Sequence, residues 1–440
     1  MTALAFLIGV VLLVVGLAVS IALHEIGHLV PAKLFGVRVG QYMVGFGPTL
    51  WSRKIGDTEY GVKAIPLGGY ISMAGMYPPS PAETAGKGPG RVRRLFATMV
   101  QDARAANDET LAGADDRVFY KLPVYKRVII MLGGPVMNLL LAVVLFTLLF
   151  SGIGVQTATT TVASVSECVI PADAGRTDCT PTDPAAPAAE AGVLPGDVIV
   201  SVDGTPVATF AEASAIIQES PGQALPLVIS RGGEEQTLSL TPALTTRAVT
   251  DDLGREVTDA DGAVQTEEVG FAGVRSQVAL VPQPLWAGPQ AAADNVGAVA
   301  GIMTQLPVRV YDTAVDLFTG AERDPNGPLS VVGAGRLAGE VAATDAPVMD
   351  RVAGLLGLLA SLNIALFVFN LIPLLPLDGG HVVVALWDGI KRMWAKLAGR
   401  VARPVDATKL VPVTFVVVIL LVGMGGILIL ADLFNPVSIL

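Results

Sequence analysis

The chain has 440 residues, of which 52% are hydrophobic and only 15% charged, and its formal net charge at pH 7 is −10. A mean hydropathy of +0.60 indicates an integral membrane protein. The negative net charge argues against nucleic acid as a partner.

Four apolar segments are long enough to cross the hydrocarbon core of a bilayer, which takes about 20 helical residues. In chain order they are residues 3–30, 128–154, 352–377 and 410–434. The first has no basic residue before it and no evident cleavage site after it, so we expect it to remain in the mature protein. The predicted fold is a polytopic α-helical membrane protein with four transmembrane helices.

The first segment contains three ionisable side chains, His24, Glu25 and His28. A helix places residues i and i+4 on one face, so both imidazoles can reach one metal ion with the Glu beside them. Charged groups at the centre of a membrane helix cost roughly 2.5–3.5 kcal/mol each on insertion scales, so they indicate function. This pattern predicts a zinc hydrolase site, and the alternative is an accidental match in a structural helix.

A third ligand at the same depth would decide between these interpretations. The third segment ends with two prolines, Pro373 and Pro376, which break the helix just before Asp378. An Asp is an oxygen ligand suited to complete a His₂-carboxylate zinc site that leaves a fourth position open. We predict that Asp378 is this ligand, and the alternative is a helix cap or turn residue. His381, three residues later, is expected at the cytoplasmic surface, and the alternative is a position directly behind the metal ligands.

The distribution of basic residues predicts the orientation. Residues 33–127 contain fourteen Lys and Arg and residues 387–409 contain six, whereas 154–350 contain eight Arg, no Lys and twenty-six Asp and Glu. The positive-inside rule then places the first and third loops in the cytoplasm. Both termini and the acidic segment would lie outside, and the site would lie near the cytoplasmic side of the membrane.

The chain resembles the intramembrane site-2 zinc metalloproteases, and its likeness to a bacterial subgroup implies a place in a bacterial-type cell membrane. The motifs that carry the resemblance are HEIGH at 24–28, NLIPLLPLDG at 370–379, GPVMN at 134–138, GPLSVVG at 327–333, GFGP at 45–48 and IPLGGY at 65–70. The subgroup it most resembles is the RseP type, in which PDZ sequence is inserted between helices two and three. Many members carry two PDZ copies, and one is found here.

This resemblance implies one zinc ion per chain, bound by His24, His28 and Asp378, with Glu25 as the general base. It implies that Asn370 and Asn138 hold the substrate strand, although an Asn in a membrane helix also serves as a helix–helix contact. The expected activity is hydrolysis of single-pass transmembrane proteins, for example anti-sigma factors, after another protease has trimmed them.

The outer segment has the pattern of a PDZ domain. The predicted elements match a PDZ domain of about 85 residues with an insertion at 178–189. They are a strand at 160–169, a turn around 191–199, a strand at 198–202, a helix at 210–220 and a hairpin of 225–231 with 235–240. Such a domain adds a peptide strand to a sheet edge or acts as a plug that excludes bulky ectodomains. Its two cysteines, Cys168 and Cys179, form a disulfide or stay as free thiols.

The remaining segments complete the predicted organisation. Residues 37–70 alternate like a β-hairpin, 84–117 suggest a cytoplasmic helix, 246–265 a loop or extra hairpin, and 286–317 a helix along the outer membrane surface. The predicted divisions are 1–36, 37–127, 128–154, a PDZ at 155–245, a linker with amphipathic helices at 246–350, helix three at 351–385, a loop at 386–409 and helix four at 410–440.

Two other functions are compatible with parts of this pattern. A zinc transporter or storage protein would also carry His and carboxylate ligands, but it needs a second cluster to pass the ion on. A membrane adaptor would display a PDZ domain, but it has no need of Glu25 between the histidines. We therefore predict the protease.

Overall fold

The protein forms two compact units in a computed structural model that describes residues 3–76, 100, 111, 116–169, 178–181, 183–248, 265–324, 327–400, 405 and 407–437. One unit combines Met1–Ile153 with Gln283–Leu440, and the other is Gly154–Pro282. We call them the helical unit and the β-unit. The predicted helix at 84–117 falls almost entirely outside the described residues.

The helical unit contains seven of the α-helices found among the described residues. They are α1 (Ala3–Leu34), α2 (Val124–Thr147, continued by a π-helical stretch Leu148–Ile153), α5 (Ala287–Thr319), α6 (Val331–Ala343), α7 (Val348–Asn370), α8 (Asp378–Leu397) and α9 (Val411–Phe434). Four of these, α1, α2 with its extension, α7 and α9, are long and apolar enough to cross a membrane. This number agrees with the prediction.

Glycines allow α1 and α2 to cross in backbone contact. A Cβ atom added at Gly27 of α1 would overlap the carbonyl oxygen of Gly133 in α2, and a Cβ at Gly133 would overlap the oxygen of Gly27. Small residues of this kind let membrane helices approach closely. One turn before the first histidine, Ser20 accepts a 2.9 Å hydrogen bond from Asn363 of α7, so a polar contact joins these two helices as well.

The third membrane helix ends earlier than predicted. Helix α7 stops at Asn370, and the two prolines that follow shape an irregular turn before α8 begins at Asp378. A Cβ at Gly380 would lie 2.5 Å from the backbone nitrogen of Leu375, so this tight turn requires a glycine. The predicted loop at 386–409 is corrected, because its first half is helical up to Leu397.

A long β-hairpin follows α1, as the alternation of its residues predicted. Strands β1 (Val39–Ile55) and β2 (Thr58–Met73) pair antiparallel with several register shifts. The hydroxyl of Tyr42 donates a 2.8 Å hydrogen bond to the carbonyl of Ala22, which fixes β1 against α1. Large apolar side chains towards the hairpin tip, among them Leu50 and Trp51, are exposed.

The β-unit contains strands β3 to β10 and two short helices. The elements are β3 (Val155–Val165), α3 (Pro187–Glu190), β4 (Val198–Val202), β5 (Thr205–Pro206), α4 (Phe210–Gln218), β6 (Leu225–Arg231), β7 (Glu234–Leu240), β8 (Ala243–Ala248), β9 (Thr266–Phe271) and β10 (Val274–Val281). The main sheet has the order β10-β3-β4-β6-β7, with β5 paired to β4, and β8 and β9 form a separate hairpin.

The elements from β4 to β7 lie where the sequence predicted them, whereas β3 begins earlier. The unit extends to Pro282 rather than ending near 245, because β10 returns to pair with β3. Thr209 and Glu212 form a capping box at the start of α4. The structure joins Cys168 and Cys179 by a disulfide.

Candidate metal centre

Three predicted ligands converge inside the helical unit. His24 and His28 lie one turn apart on α1, and their Nε2 atoms are 3.2 Å apart. Oδ2 of Asp378, the first residue of α8, lies 3.3 Å from Nε2 of His24 and 3.4 Å from Nε2 of His28. Residues separated by more than 340 positions therefore present three donor atoms in a nearly equilateral triangle.

The size of this triangle fits zinc. Tetrahedral zinc holds nitrogen and oxygen ligands at about 2.0–2.2 Å, which places neighbouring ligand atoms about 3.3–3.6 Å apart. The observed sides match the edges of one tetrahedral face. Oδ2 of Asp378 is also buried without a hydrogen-bond donor within the described residues, as expected for an atom whose partner is a cation. Two imidazoles and one carboxylate are a common catalytic zinc donor set.

The ring of His28 is held in the tautomer that a metal requires. Its Nδ1 lies 2.7 Å from the backbone carbonyl of Ile130 in α2, and a carbonyl only accepts hydrogen bonds. The proton therefore sits on Nδ1, and Nε2 directs a lone pair towards the triangle. Metal-binding histidines usually have such a partner, which fixes both the tautomer and the ring orientation.

Asn138 performs the same task for His24. Its side-chain amide lies 3.1 Å from Nδ1 of His24, and the residue is 1% exposed. When Nε2 of His24 binds metal, Nδ1 carries a proton and needs an acceptor, which is the amide oxygen after a flip of the terminal group. That oxygen has no other hydrogen-bond partner among the described atoms. Of the two roles predicted for Asn138, this hydrogen bond to α1 is the helix–helix contact, and the substrate role stays a prediction.

Glu25, the residue after His24 on α1, lies next to the β-hairpin. It is 8% exposed, and a Cβ added at Gly69 of β2 would be 3.1 Å from its Cγ. The same Cβ would lie 3.0 Å from the carbonyl oxygen of Met43 in β1. The hairpin therefore passes in van der Waals contact with the carboxylate side chain that follows His24.

The remaining predicted residues lie near the turn that delivers Asp378. Asn370 is the last residue of α7, is half-buried, and donates a 3.0 Å hydrogen bond from Nδ2 to the carbonyl of Leu366. His381 is half-buried in the first turn of α8, rather than at the surface as predicted.

Gly134 is a residue of this site that reasoning from the sequence missed. A Cβ added there would overlap Nε2 of His28 and would lie 2.7 Å from both Nε2 and Cε1 of His24. The backbone of α2 thus closes one side of the donor triangle. The signal was present in the sequence as glycine in the motif GPVMN, but only the crossing of α1 and α2 shows what the glycine faces.

Comparison with known proteins agrees with this geometry. The sequence pattern of Peptidase family M50 matches residues 12–406. The chain belongs to peptidase family M50. It is 35% identical to zinc metalloprotease Rip1 of Mycobacterium tuberculosis, with 99% of each chain covered, and 34% identical to Rip1 of Mycolicibacterium smegmatis over 99% of each. It is 28% identical to metalloprotease MmpA of Caulobacter vibrioides over 88% of each.

As an M50 member the protein is a zinc metalloendopeptidase of the site-2 protease type, and its four apolar helices make it a multi-pass membrane protein. Zinc is its cofactor. The family was identified correctly from the sequence motifs, and the donor triangle of this chain has the chemistry and the dimensions that zinc requires.

Proposed function

We propose that this protein is an intramembrane endopeptidase that hydrolyses single-pass membrane proteins, with His24, His28 and Asp378 as zinc ligands and Glu25 as general base. The observation that carries the proposal is the position of the donor triangle. Both histidines belong to an apolar helix that is long enough to span a bilayer, so the scissile bond must come to membrane depth. Anti-sigma factors are the substrate type that the family resemblance suggests.

Each residue has a distinct task in this proposal. Bound zinc supplies Lewis-acid polarisation of the peptide carbonyl and lowers the pKa of water. The carboxylate of Glu25 takes a proton from the attacking water and returns it to the leaving amine. Asn138 holds the ring of His24, and Ile130 holds that of His28, so the two ligands keep their orientation throughout the reaction.

A helical peptide bond is closed by its own hydrogen bonds, so the substrate has to be extended before cleavage. The β-hairpin supports a route for this, because β2 lies against Glu25 at Gly69 and its exposed apolar residues suit a lipid environment. We propose that the substrate adds as a strand to the edge of this hairpin. We propose that Asn370, at the end of α7, holds the extended strand.

The β-unit is proposed to be a PDZ domain that controls access. Its strands β4, β6 and β7 and helix α4 have the order expected from the PDZ pattern. It contains no histidine, and every proposed metal ligand or proton carrier lies in the helical unit. We further propose that this unit and both termini face outside and that the metal centre lies near the cytoplasmic side of the bacterial cell membrane.

The alternatives of zinc transport and adaptor function are less well supported. Among the residues that the structure describes, His24, His28 and Asp378 are the only group of three or more suited to hold a metal, so a second cluster that could receive the ion is missing from these segments. An adaptor has no need of a donor triangle of these dimensions in an apolar helix.

The decisive experiment separates metal binding from proton transfer. Purified wild-type protein and the variants Glu25→Gln, His24→Ala and Asp378→Ala are assayed for zinc per chain and for cleavage of a tagged single-pass protein in proteoliposomes. Glu25→Gln should keep one zinc and lose cleavage, because the base is not a ligand, whereas the other two should lose both. Glu267→Gln on exposed β9 is the matched control. Full activity of Glu25→Gln would disprove the mechanism.

A second experiment addresses access. A flexible linker replaces residues 154–282, and the shortened enzyme is tested on substrates with progressively larger outer domains. It should cleave the shortest substrate like the intact enzyme and also accept larger ones that the intact enzyme rejects. Loss of zinc or of all cleavage in a folded variant would show that the β-unit helps to build the site instead.

A further inference from the structure

Helix α8, which carries Asp378 at its first residue, has one face packed against protein. Ala385 and Asp388 are buried, and Asp388 accepts a 2.6 Å hydrogen bond from Arg127 of α2. A Cβ at Gly389 would lie 2.9 Å from Cγ2 of Val124, the first residue of α2. These contacts fix which side of α8 faces the helical unit.

The opposite side of α8 is an exposed apolar stripe. Its residues recur with the i, i+3, i+4, i+7 spacing of one helix face, and each is between 43% and 77% exposed. The residues of the stripe are Val383, Leu386, Trp387, Ile390, Met393, Trp394 and Leu397. Seven large apolar side chains, two of them Trp, form a patch that a water-facing helix does not carry.

The course of α8 places this stripe at the membrane boundary. Its first residue lies 3.3 Å from His24, within the apolar span of α1. Further along, Asp388 meets Arg127 near the start of α2, and Arg392 meets the carbonyl of Tyr120, which precedes α2. The helix is about 30 Å long. It therefore leads from the depth of the metal centre outward past the end of a transmembrane helix.

The charges of α8 indicate which surface it meets. Lys391, Lys396 and Arg400, just beyond the helix end, are exposed. Both acidic residues of the helix, Asp378 and Asp388, are withdrawn from the surface by the histidines and by Arg127. The exposed charge in 378–400 is therefore entirely positive, which complements anionic lipid headgroups. Trp side chains are enriched at the boundary between acyl chains and headgroups.

We propose that α8 docks on the bilayer through this stripe and binds anionic phospholipid headgroups through Lys391, Lys396 and Arg400. Trp387 lies deeper in the bilayer than Trp394, because α8 starts at the metal centre and runs outward. This contact holds in position the helix whose first residue is Asp378. The docking does not depend on the proposed proteolytic function, and its test needs no activity assay.

The test uses tryptophan fluorescence of the full-length protein in nanodiscs. The chain has four Trp residues. Replacing Trp51, Trp286 and one of the two α8 residues by Phe leaves Trp387 or Trp394 as the single emitter. Nanodiscs contain lipids brominated either high or low on the acyl chain, in phosphatidylcholine with increasing phosphatidylglycerol. Iodide in the buffer reports exposure to water, and zinc content verifies folding.

Both emitters should be quenched by brominated lipid and shielded from iodide, with Trp387 responding more to the deeper bromine. Each basic residue at an anionic surface strengthens binding by about fivefold. The triple variant Lys391→Gln, Lys396→Gln, Arg400→Gln should therefore need far more phosphatidylglycerol for the same quenching, whereas Arg275→Gln in the β-unit should not.

Three results would overturn the proposal. Quenching by iodide alone would show that the stripe faces water. Protection from both quenchers would show that protein covers it, either a segment of this chain from residues 77–115 or a second copy. If the triple substitution leaves quenching by brominated lipid unchanged, α8 contacts the bilayer without binding anionic headgroups. Hydrogen exchange of 383–397 in the unsubstituted chain, slower in phosphatidylglycerol nanodiscs, provides a second measurement that requires no variant.

Discussion

Gly134 provides a sharp test of the metal centre, because a single methyl group added there points at the donor triangle. The Cβ of Gly134→Ala would overlap Nε2 of His28 and approach Nε2 of His24 to 2.7 Å, well inside van der Waals contact. Zinc must lie about 2.0–2.1 Å from these same nitrogens. The imidazoles have little freedom to retreat, since Ile130 and Asn138 hold them from behind.

The expected result is a folded protein that no longer binds zinc tightly. Alanine is favoured over glycine in a helix by about 1 kcal/mol, so the substitution does not weaken α2 as a helix. Loss of a single supporting contact behind a ligand costs about 10–100-fold in metal affinity, and displacing two ligands at once should cost at least the upper value. Cleavage should fall in parallel.

The assay is competitive zinc titration of purified protein, with thermal unfolding measured on the same samples. Gly425→Ala is the matched control, because Gly425 also lies in an apolar spanning helix and a Cβ there meets nothing within 4 Å. This control should keep its zinc affinity and its stability. Wild-type zinc affinity in Gly134→Ala would refute the position assigned to the metal.

Further predictions concern the supports of the site and the β-unit. Asn138→Ala should weaken zinc binding by about 10–100-fold, whereas Asn138→Asp, which keeps an acceptor, should retain it. Asn363→Ala, which removes the hydrogen bond to Ser20, should cost about 1 kcal/mol of stability and leave zinc affinity unchanged in the same titration. In the β-unit, hydrogen bonds from Arg231 lower the pKa of Asp197 below its ordinary value. The resulting stabilisation is present above the unfolded pKa of about 3.9 and is lost as the pH falls through the lower folded pKa. The protection factors of amides in β4 and β6 of the full chain, which correct for the intrinsic pH dependence of exchange, should therefore fall in acid, and Arg231→Gln should reduce that pH dependence. An unchanged pH profile in Arg231→Gln would contradict this assignment.

The sequence was most informative at positions where the residue type has a single physical explanation. Ionisable residues in an apolar helix identified His24, Glu25 and His28, and two prolines identified the turn that brings Asp378 to them. Alternation of apolar residues predicted the hairpin, and turn glycines predicted the strands of the β-unit. In each case the local pattern and the tertiary environment favour the same structure.

The sequence was least informative where the reason lies on another helix. The motif GPVMN marks Gly134, but it does not show that this glycine faces two imidazoles, whereas a Cβ at Gly425 would meet none of the described atoms within 4 Å. Asn138 is predicted equally well as a substrate contact or a helix contact, and only the crossing of α1 and α2 places it behind His24. Strand β10 was missed because it pairs with β3, more than one hundred residues earlier in the chain.

The missed helix α8 illustrates how the two kinds of information combine. Its basic residues suggested a cytoplasmic loop, yet the same stretch has apolar residues at intervals of three and four. The structure explains both patterns, because one face packs on α2 while the other carries the exposed stripe. A zinc ligand at the start of such a helix is held by the turn after α7 and by the ion pair of Asp388 with Arg127, and the proposed contact of the stripe with the bilayer would add a third support. The geometry of Asp378 thus depends on contacts along the whole of α8, and not only on the residues beside the metal.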